Sequence, residues 1–201
     1  MANKQAKTGT FLEIIGGVNV DKIGGNSSLI EHTDEKGNTT RIMTDLGRMF
    51  PPYTTDFEMA LPDVTEYFDR CDPKTKEYTK ALKPVDAIII THAHEDHIGA
   101  LIDYDKMGYI LPTIYGSRYT CNRIKVGFTH EGRNAPTMIH IKHQAEEKQG
   151  NDISVEALKV SHSILGAMGY MEQIRSANGN EINVLNTGDF FTEENICIIL
   201  R

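Results

Sequence analysis

The 201 residues carry a formal charge of −7, with 21 Lys and Arg against 28 Asp and Glu, and 39% of them are hydrophobic. That length allows one domain with a full core and is short for two, and the composition is that of a folded chain rather than a disordered one. The acidic balance argues against gripping nucleic acid by bulk electrostatics, which scales with the phosphates that Lys and Arg neutralise, but it leaves room for local phosphate binding by a basic strip or a metal ion.

No apolar run reaches the roughly 18 to 20 residues of a membrane span, the longest being Ile196–Leu200 and Ala87–Ile90. Thr10–Val20 follows Lys4 and Lys7 but is broken by Glu13 and two glycines, so it lacks the apolar core of a secretory signal. A cytoplasmic protein with no membrane partner is expected. Cys71, Cys121 and Cys197 are odd in number and far apart, which predicts free thiols rather than disulfides or a thiolate metal site.

Residues 1–10 read as a flexible polar arm, followed by a strand over Phe11–Ile15. Ser27–His32 and Thr39–Thr44 alternate as the arms of a hairpin across Asp34–Asn38, and the loop between Gly16 and Asn26 holds four glycines without the spacing of a dinucleotide cradle. Asp45 ends the third strand beside Leu46 and Gly47, a place suited to an orienting carboxylate. Residues 51–80 are loop-rich, read either as a lid or as a surface excursion, with a helix expected over Asp63–Cys71 because Val64, Tyr67 and Phe68 share a helical face.

Val85–Ile90 is apolar throughout, as expected of a strand buried on both faces. A helix over Ile98–Met107, a strand over Thr113–Tyr115 and a helix capped near Ser117 and running to Phe128 follow. Strands are expected over Thr137–Ile141 and Ile153–Val160, separated by the polar stretch Lys142–Asn151. Ala167–Ile174 and Glu181–Asn186 form a second hairpin about Ser176–Asn180. No internal repeat or low-complexity tract appears.

Between the apolar strand and its helix stand Thr91-His92-Ala93-His94-Glu95-Asp96-His97. Strand alternation sends His92 and His94 to one side, and the bend returns Asp96 and His97 close by, a pattern that suits two metals about 3.5 to 4 Å apart. Two later strands also end in ligand types: His162 follows Val160-Ser161, and Asp189 closes Asn186-Thr187-Gly188.

These residues resemble the ordered motifs of the metallo-β-lactamase fold, with Asp45 as the first of them. Gly16-Gly17, Ile23-Gly24-Gly25-Asn26, Thr91–Ala100, Pro112–Gly116, Ser161–Ile164 and Asn186–Phe190 narrow the resemblance to ribonuclease J and related β-CASP nucleases, over about Phe11 to Phe191. It implies an α/β (α+β) fold of the αββα sandwich type, with residues 11–201 forming the N-terminal half and part of the second sheet. It implies a first Zn2+ on His92, His94 and His162 and a second on Asp96 and His97, with Asp189 bridging and Asp45 in support. The implied reaction is cleavage of single-stranded RNA by a dimetal-activated water, with Asp96 or Asp189 as the proton acceptor; Mn2+ is an alternative metal.

The family pattern continues past Thr-Gly-Asp with a β-CASP domain and a last histidine ligand, whereas this sequence ends 12 residues after Asp189 in the apolar run Asn195–Arg201, which reads as a strand. The expectation is a truncated domain with an incomplete second metal site and no RNA groove, paired with another copy or a complementing chain; His130, His140 and His143 read as solvated or core histidines rather than replacement ligands. Two other readings are carried: a stand-alone hydrolase of a small thioester or lactone, and a non-catalytic domain that binds metal or a partner.

Overall fold

The structure is a computed structural model and describes residues 8–16, 23–50, 61–143, 146–149, 153–175 and 179–191. Its first part runs β1 (Gly9–Gly16), β2 (Ile23–Gly24), β3 (Ser27–Thr33), β4 (Thr39–Thr44) and β5 (Met49–Phe50). Then come β6 (Arg70–Cys71), β7 (Tyr78–Thr79), β8 (Ala87–Ile90), α1 (Glu95–Lys106), β9 (Thr113–Gly116) and α2 (Arg118–His130). Five strands follow: β10 (Met138–His140), β11 (Glu146–Gln149), β12 (Ile153–Lys159), β13 (Met168–Arg175) and β14 (Glu181–Asn186).

A six-stranded sheet has the order β1-β3-β4-β8-β9-β10, and a four-stranded sheet the order β11-β12-β13-β14. In the first sheet β4, β8, β9 and β10 are parallel neighbours, while β1, β3 and β4 form an antiparallel meander. The second sheet is antiparallel throughout.

Side-chain alternation explains the layering. Leu29, Met43, Ile88, Ile90 and Ile114 pack with Ala100, Leu101 and Tyr104 of α1 and Ile124 and Phe128 of α2. Ile30, Ile42 and Ile89 point the other way, against Ile153, Val155, Ala157, Tyr170 and Ile174 of the second sheet. Both faces of β8 are therefore covered, and Ile88, Ile89 and Ile90 are all 0% exposed, each stabilising the fold by about 1.5–3 kcal/mol. The mixed α/β class and the two facing sheets agree with expectation.

Several boundaries differ from the sequence reading. β1 begins at Gly9, and the Thr10 hydroxyl meets His32 Nδ1 at 3.0 Å, so the expected arm gives up its last two residues to the sheet. α1 starts at Glu95, three residues early, because Glu95 and Asp96 suit the positive end of a helix. α2 extends to His130, with Ser117 Oγ accepting the Thr120 N–H as the expected cap.

The helix expected over Asp63–Cys71 does not form. Val64, Tyr67 and Phe68 are buried as their spacing suggested, but the Glu66, Tyr67 and Asp69 carbonyls accept from the Lys83, Val85 and Ile110 N–H groups instead of from their own segment. β11 is the converse case, a strand inside the expected polar spacer, held by its ladder to β12 rather than by an apolar face. Residues 51–60, the first part of the stretch 51–80 read as a lid or a surface excursion, the tip at 176–178, Cys197 and the strand expected over Asn195–Arg201 lie outside the described residues. Cys71 and Cys121 are free, and burial pushes the Cys121 thiol up to about 11. Among the described residues no helix is long and apolar enough to cross a membrane.

Candidate metal centre

The predicted residues come from four segments that end at the same edge of the molecule. Asp45 follows β4, His92 to His97 follow β8, His162 lies beyond β12 and Asp189 beyond β14. Backbone bonds tie the segments together: the Met168 N–H donates to the Thr91 carbonyl at 2.9 Å and the Phe191 N–H to the Ser161 carbonyl at 2.7 Å. Strand ends fix side chains more tightly than free loops, and an edge where strands from both sheets end leaves the cluster open on one side.

Three imidazole nitrogens converge, with His94 Nδ1 lying 3.0 Å from His92 Nε2 and 3.1 Å from His162 Nε2. His92, His97 and Asp189 form a second group with ligand atoms within 4.8 Å of one another. Asp96 adds Oδ2 at 3.7 Å from His97 Nε2, and Asp189 Oδ1 lies 3.4 Å from the same nitrogen. His92 and His97 are buried, His94, Asp96 and His162 half-buried, and Asp189 exposed. His130, His140 and His143 are exposed, and none joins these groups.

Asp45 organises the buried end. Oδ1 accepts the Thr91 N–H at 2.8 Å, and Oδ2 accepts both the Thr91 hydroxyl and His97 Nδ1–H at 2.8 Å. Having donated its proton to Asp45, the Thr91 oxygen accepts from His92 Nδ1 at 3.0 Å. Both rings are thus held with Nδ1 protonated and the Nε2 lone pair facing the cluster, the tautomer a metal requires. Asp45 holds this pose at φ +61°, a left-handed conformation rare outside glycine. Two glycines give the room: a Cβ on Gly47 would stand 1.6 Å from the Asp96 carbonyl oxygen, and Gly188, at φ +55°, packs where a Cβ would come within 2.8 Å of Thr91 Cβ.

Electrostatics follow the same division. Burial pushes His92 down to about 2, and the neighbouring imidazoles of His97, His162 and His94 push the same way, so this ring is neutral. Burial also disfavours protonated His97, but Asp45, Asp96 and Asp189 outweigh it and raise its pKa. Burial lowers His162, with His94 adding to the effect and Asp189 opposing it, and its buried Nδ1 has no hydrogen-bond partner. Imidazole nitrogens brought this close repel one another unless a proton or a cation lies between them, so the donor set fits divalent ions.

Two residues near the site went unnoticed in the sequence. Asn26 places its amide nitrogen 3.0 Å from His97 Nε2 and 3.3 Å from Asp96 Oδ2; the sequence marked it only as the end of the Ile23–Asn26 motif, with no role at the site. Glu172 is buried between the sheets, accepts the Thr44 hydroxyl at 3.0 Å and leaves Oε2 without a partner; no local pattern marks it. Beside His162, a cavity of about 650 Å³ is lined by His143, Lys159, Leu165, Met168 and Phe191.

Two facing sheets, helices outside the first, and a His-x-His-x-Asp-His turn at their common edge define a metallo-β-lactamase fold. The beta-lactamase superfamily domain matches residues 60–173, more than half of the chain, and the chain belongs to that superfamily. It is related to ribonuclease J: the Sinorhizobium meliloti enzyme is 34% identical over 88% of this chain and 28% of its own length. The Mycolicibacterium smegmatis enzyme is 28% identical over 92% of this chain, again 28% of its own length. The chain thus spans little more than a quarter of these relatives. In fold it is similar to a solved protein of unknown function from Enterococcus faecalis V583, with a TM-score of 0.64 and 20% identity, over 92% of this chain and 44% of that one.

Proposed function

We propose that this chain carries the metal-binding core of a hydrolase that cleaves single-stranded RNA. The observation that carries the reading is the pair of donor groups at the sheet edge, three converging imidazoles beside a His97–Asp189–Asp96 set, with Asp45 and Thr91 fixing the tautomers of His97 and His92. Relatedness to ribonuclease J over about nine-tenths of the chain supports RNA as the substrate class.

His92, His94 and His162 would hold one ion, and His97, Asp96 and Asp189 the other. Bound there, such ions supply Lewis-acid polarisation of a phosphate and acidify a water nucleophile. The chain's own groups do the rest. Asp189 has its two oxygens toward His97 and His162 while half its side chain stays open, so it can take the proton released by the attacking water. Asp45 and Thr91 keep His92 and His97 from turning.

The test is incubation of the purified chain with end-labelled single-stranded RNA and Zn2+ or Mn2+. Cleavage that His94→Ala reduces at least ~100-fold supports the reading. A second reading, hydrolysis of a small thioester or lactone, rests on the cavity of about 650 Å³ beside His162, a volume suited to a small molecule. Thioester turnover without RNA cleavage would establish it in place of the first.

A further inference from the structure

Asn26 lies in the short link between β2 and β3, and both its backbone groups are engaged with the site. Its N–H donates to the Asp96 carbonyl at 3.0 Å, and its carbonyl accepts the Gly47 N–H at 3.0 Å. So anchored, the side chain points inward, with its amide nitrogen 3.0 Å from His97 Nε2 and 3.3 Å from Asp96 Oδ2. His97 Nε2 is itself 3.4 Å from Asp189 Oδ1 and 3.7 Å from Asp96 Oδ2. Donor atoms bound to one ion at about 2.0 to 2.2 Å stand about 3.0 to 3.6 Å from one another. The end of the Asn26 side chain therefore stands at donor spacing from both His97 Nε2 and Asp96 Oδ2.

Which amide atom faces inward depends on what it meets. Without a cation, the lone pair on His97 Nε2 and the Asp96 carboxylate are acceptors, so the amide turns its N–H to them. A cation held by His97 Nε2 and Asp96 Oδ2 removes both of those acceptors, and rotation about the last side-chain torsion then brings the carboxamide oxygen into the same place, giving up only the amide's bond to the Asp96 main-chain carbonyl at 3.2 Å.

We infer that Asn26 is a ligand of the second ion through Oδ1, completing a set of His97, Asp96, Asp189 and Asn26. The inference rests on the reading that the centre holds two ions. It makes the two positions chemically unlike. The first offers three imidazoles, which suit Zn2+; the second offers one imidazole and three oxygens, a harder set that suits Mn2+. The chain should therefore sort the two metals between its positions.

The test is chelator-stripped whole chain, titrated with Zn2+ and then Mn2+, with metal content read by mass spectrometry and bound Mn2+ by electron paramagnetic resonance. One Zn2+ and one Mn2+ per chain are expected. Asn26→Ala should retain the Zn2+ and bind Mn2+ at least ~10-fold more weakly. Asn26→Asp, which offers an oxygen but no N–H, should retain both ions.

An amide that served only as a donor to His97 and Asp96 predicts the reverse, loss of Mn2+ in Asn26→Asp. That result, or unchanged Mn2+ affinity in Asn26→Ala, overturns the inference and leaves the two-ion reading standing. A wild-type chain that retains one ion or none overturns both. Circular dichroism of the metal-free variants reports their folding separately from ion loss.

Discussion

Asp45 shows how much one side chain can fix. Its two oxygens accept from the Thr91 N–H, the Thr91 hydroxyl and His97, and through that hydroxyl it reaches His92 as well. Below it, between the sheets, Glu172 illustrates the opposite condition, a carboxyl with one partner in Thr44. Burial raises its pKa to about 7 from 4.5, Asp45 adds to the rise and the Thr44 bond opposes it. Between those pH values the unfolded chain carries the carboxylate while the folded chain keeps the proton, so stability falls as pH rises through this window. Glu172→Gln should flatten that dependence and raise stability at pH 8 by about 1–3 kcal/mol, read from urea unfolding at pH 5 and pH 8. A variant with the wild-type pH dependence would show that Glu172 does not carry it. The histidines and aspartates were legible in the sequence because imidazoles crowded at a strand end have no packing role there. Asn26 and Glu172 were not, since each acquires its position from a contact 70 or 128 residues away.

At the scale of elements, the loops after β4 and β8 are laced together by backbone bonds, Leu46 N–H to the His97 carbonyl at 2.9 Å, Arg48 N–H to Glu95 at 3.0 Å and Ala100 N–H to Leu46 at 3.2 Å. Gly47 makes that approach feasible, for a Cβ there would overlap the Asp96 carbonyl. Gly47→Ala should therefore cost more than ~2 kcal/mol in urea unfolding and weaken metal retention, since Asp96 and His97 must move. If the variant binds metal and unfolds like wild type, the loops are looser than described. Strands and helices with regular periodicity were legible from their side chains. The Asp63–Cys71 segment was read for burial but not for backbone, because the spacing of Val64, Tyr67 and Phe68 cannot reveal that the Glu66 and Tyr67 carbonyls are bonded to Lys83 and Val85.

On the scale of the molecule, one sheet carries a core on each face, and the uninterrupted isoleucines of β8 made that arrangement readable in advance. The order of strands was less accessible, because β4 joins β8 across more than 40 residues with no local signal for the pairing. The two sheets meet through apolar packing, through Tyr170 O–H donating to the Ile90 carbonyl at 2.8 Å, and through the bonds at the site edge. His94 and His162, 68 residues apart, stand on opposite sides of that seam. An ion shared between them would act as a removable cross-link, closing a long loop as a disulfide does but at a strength set by free metal: about 2.7 kcal/mol when metal exceeds its Kd 100-fold. Chelation should then raise amide hydrogen exchange in β13 and β14 more than in β4 and β8, whose core faces the helices as well. Equal protection in both sheets after metal removal would place the cross-link elsewhere. Such a cross-link would make the opening of one sheet from the other a readout of metal supply.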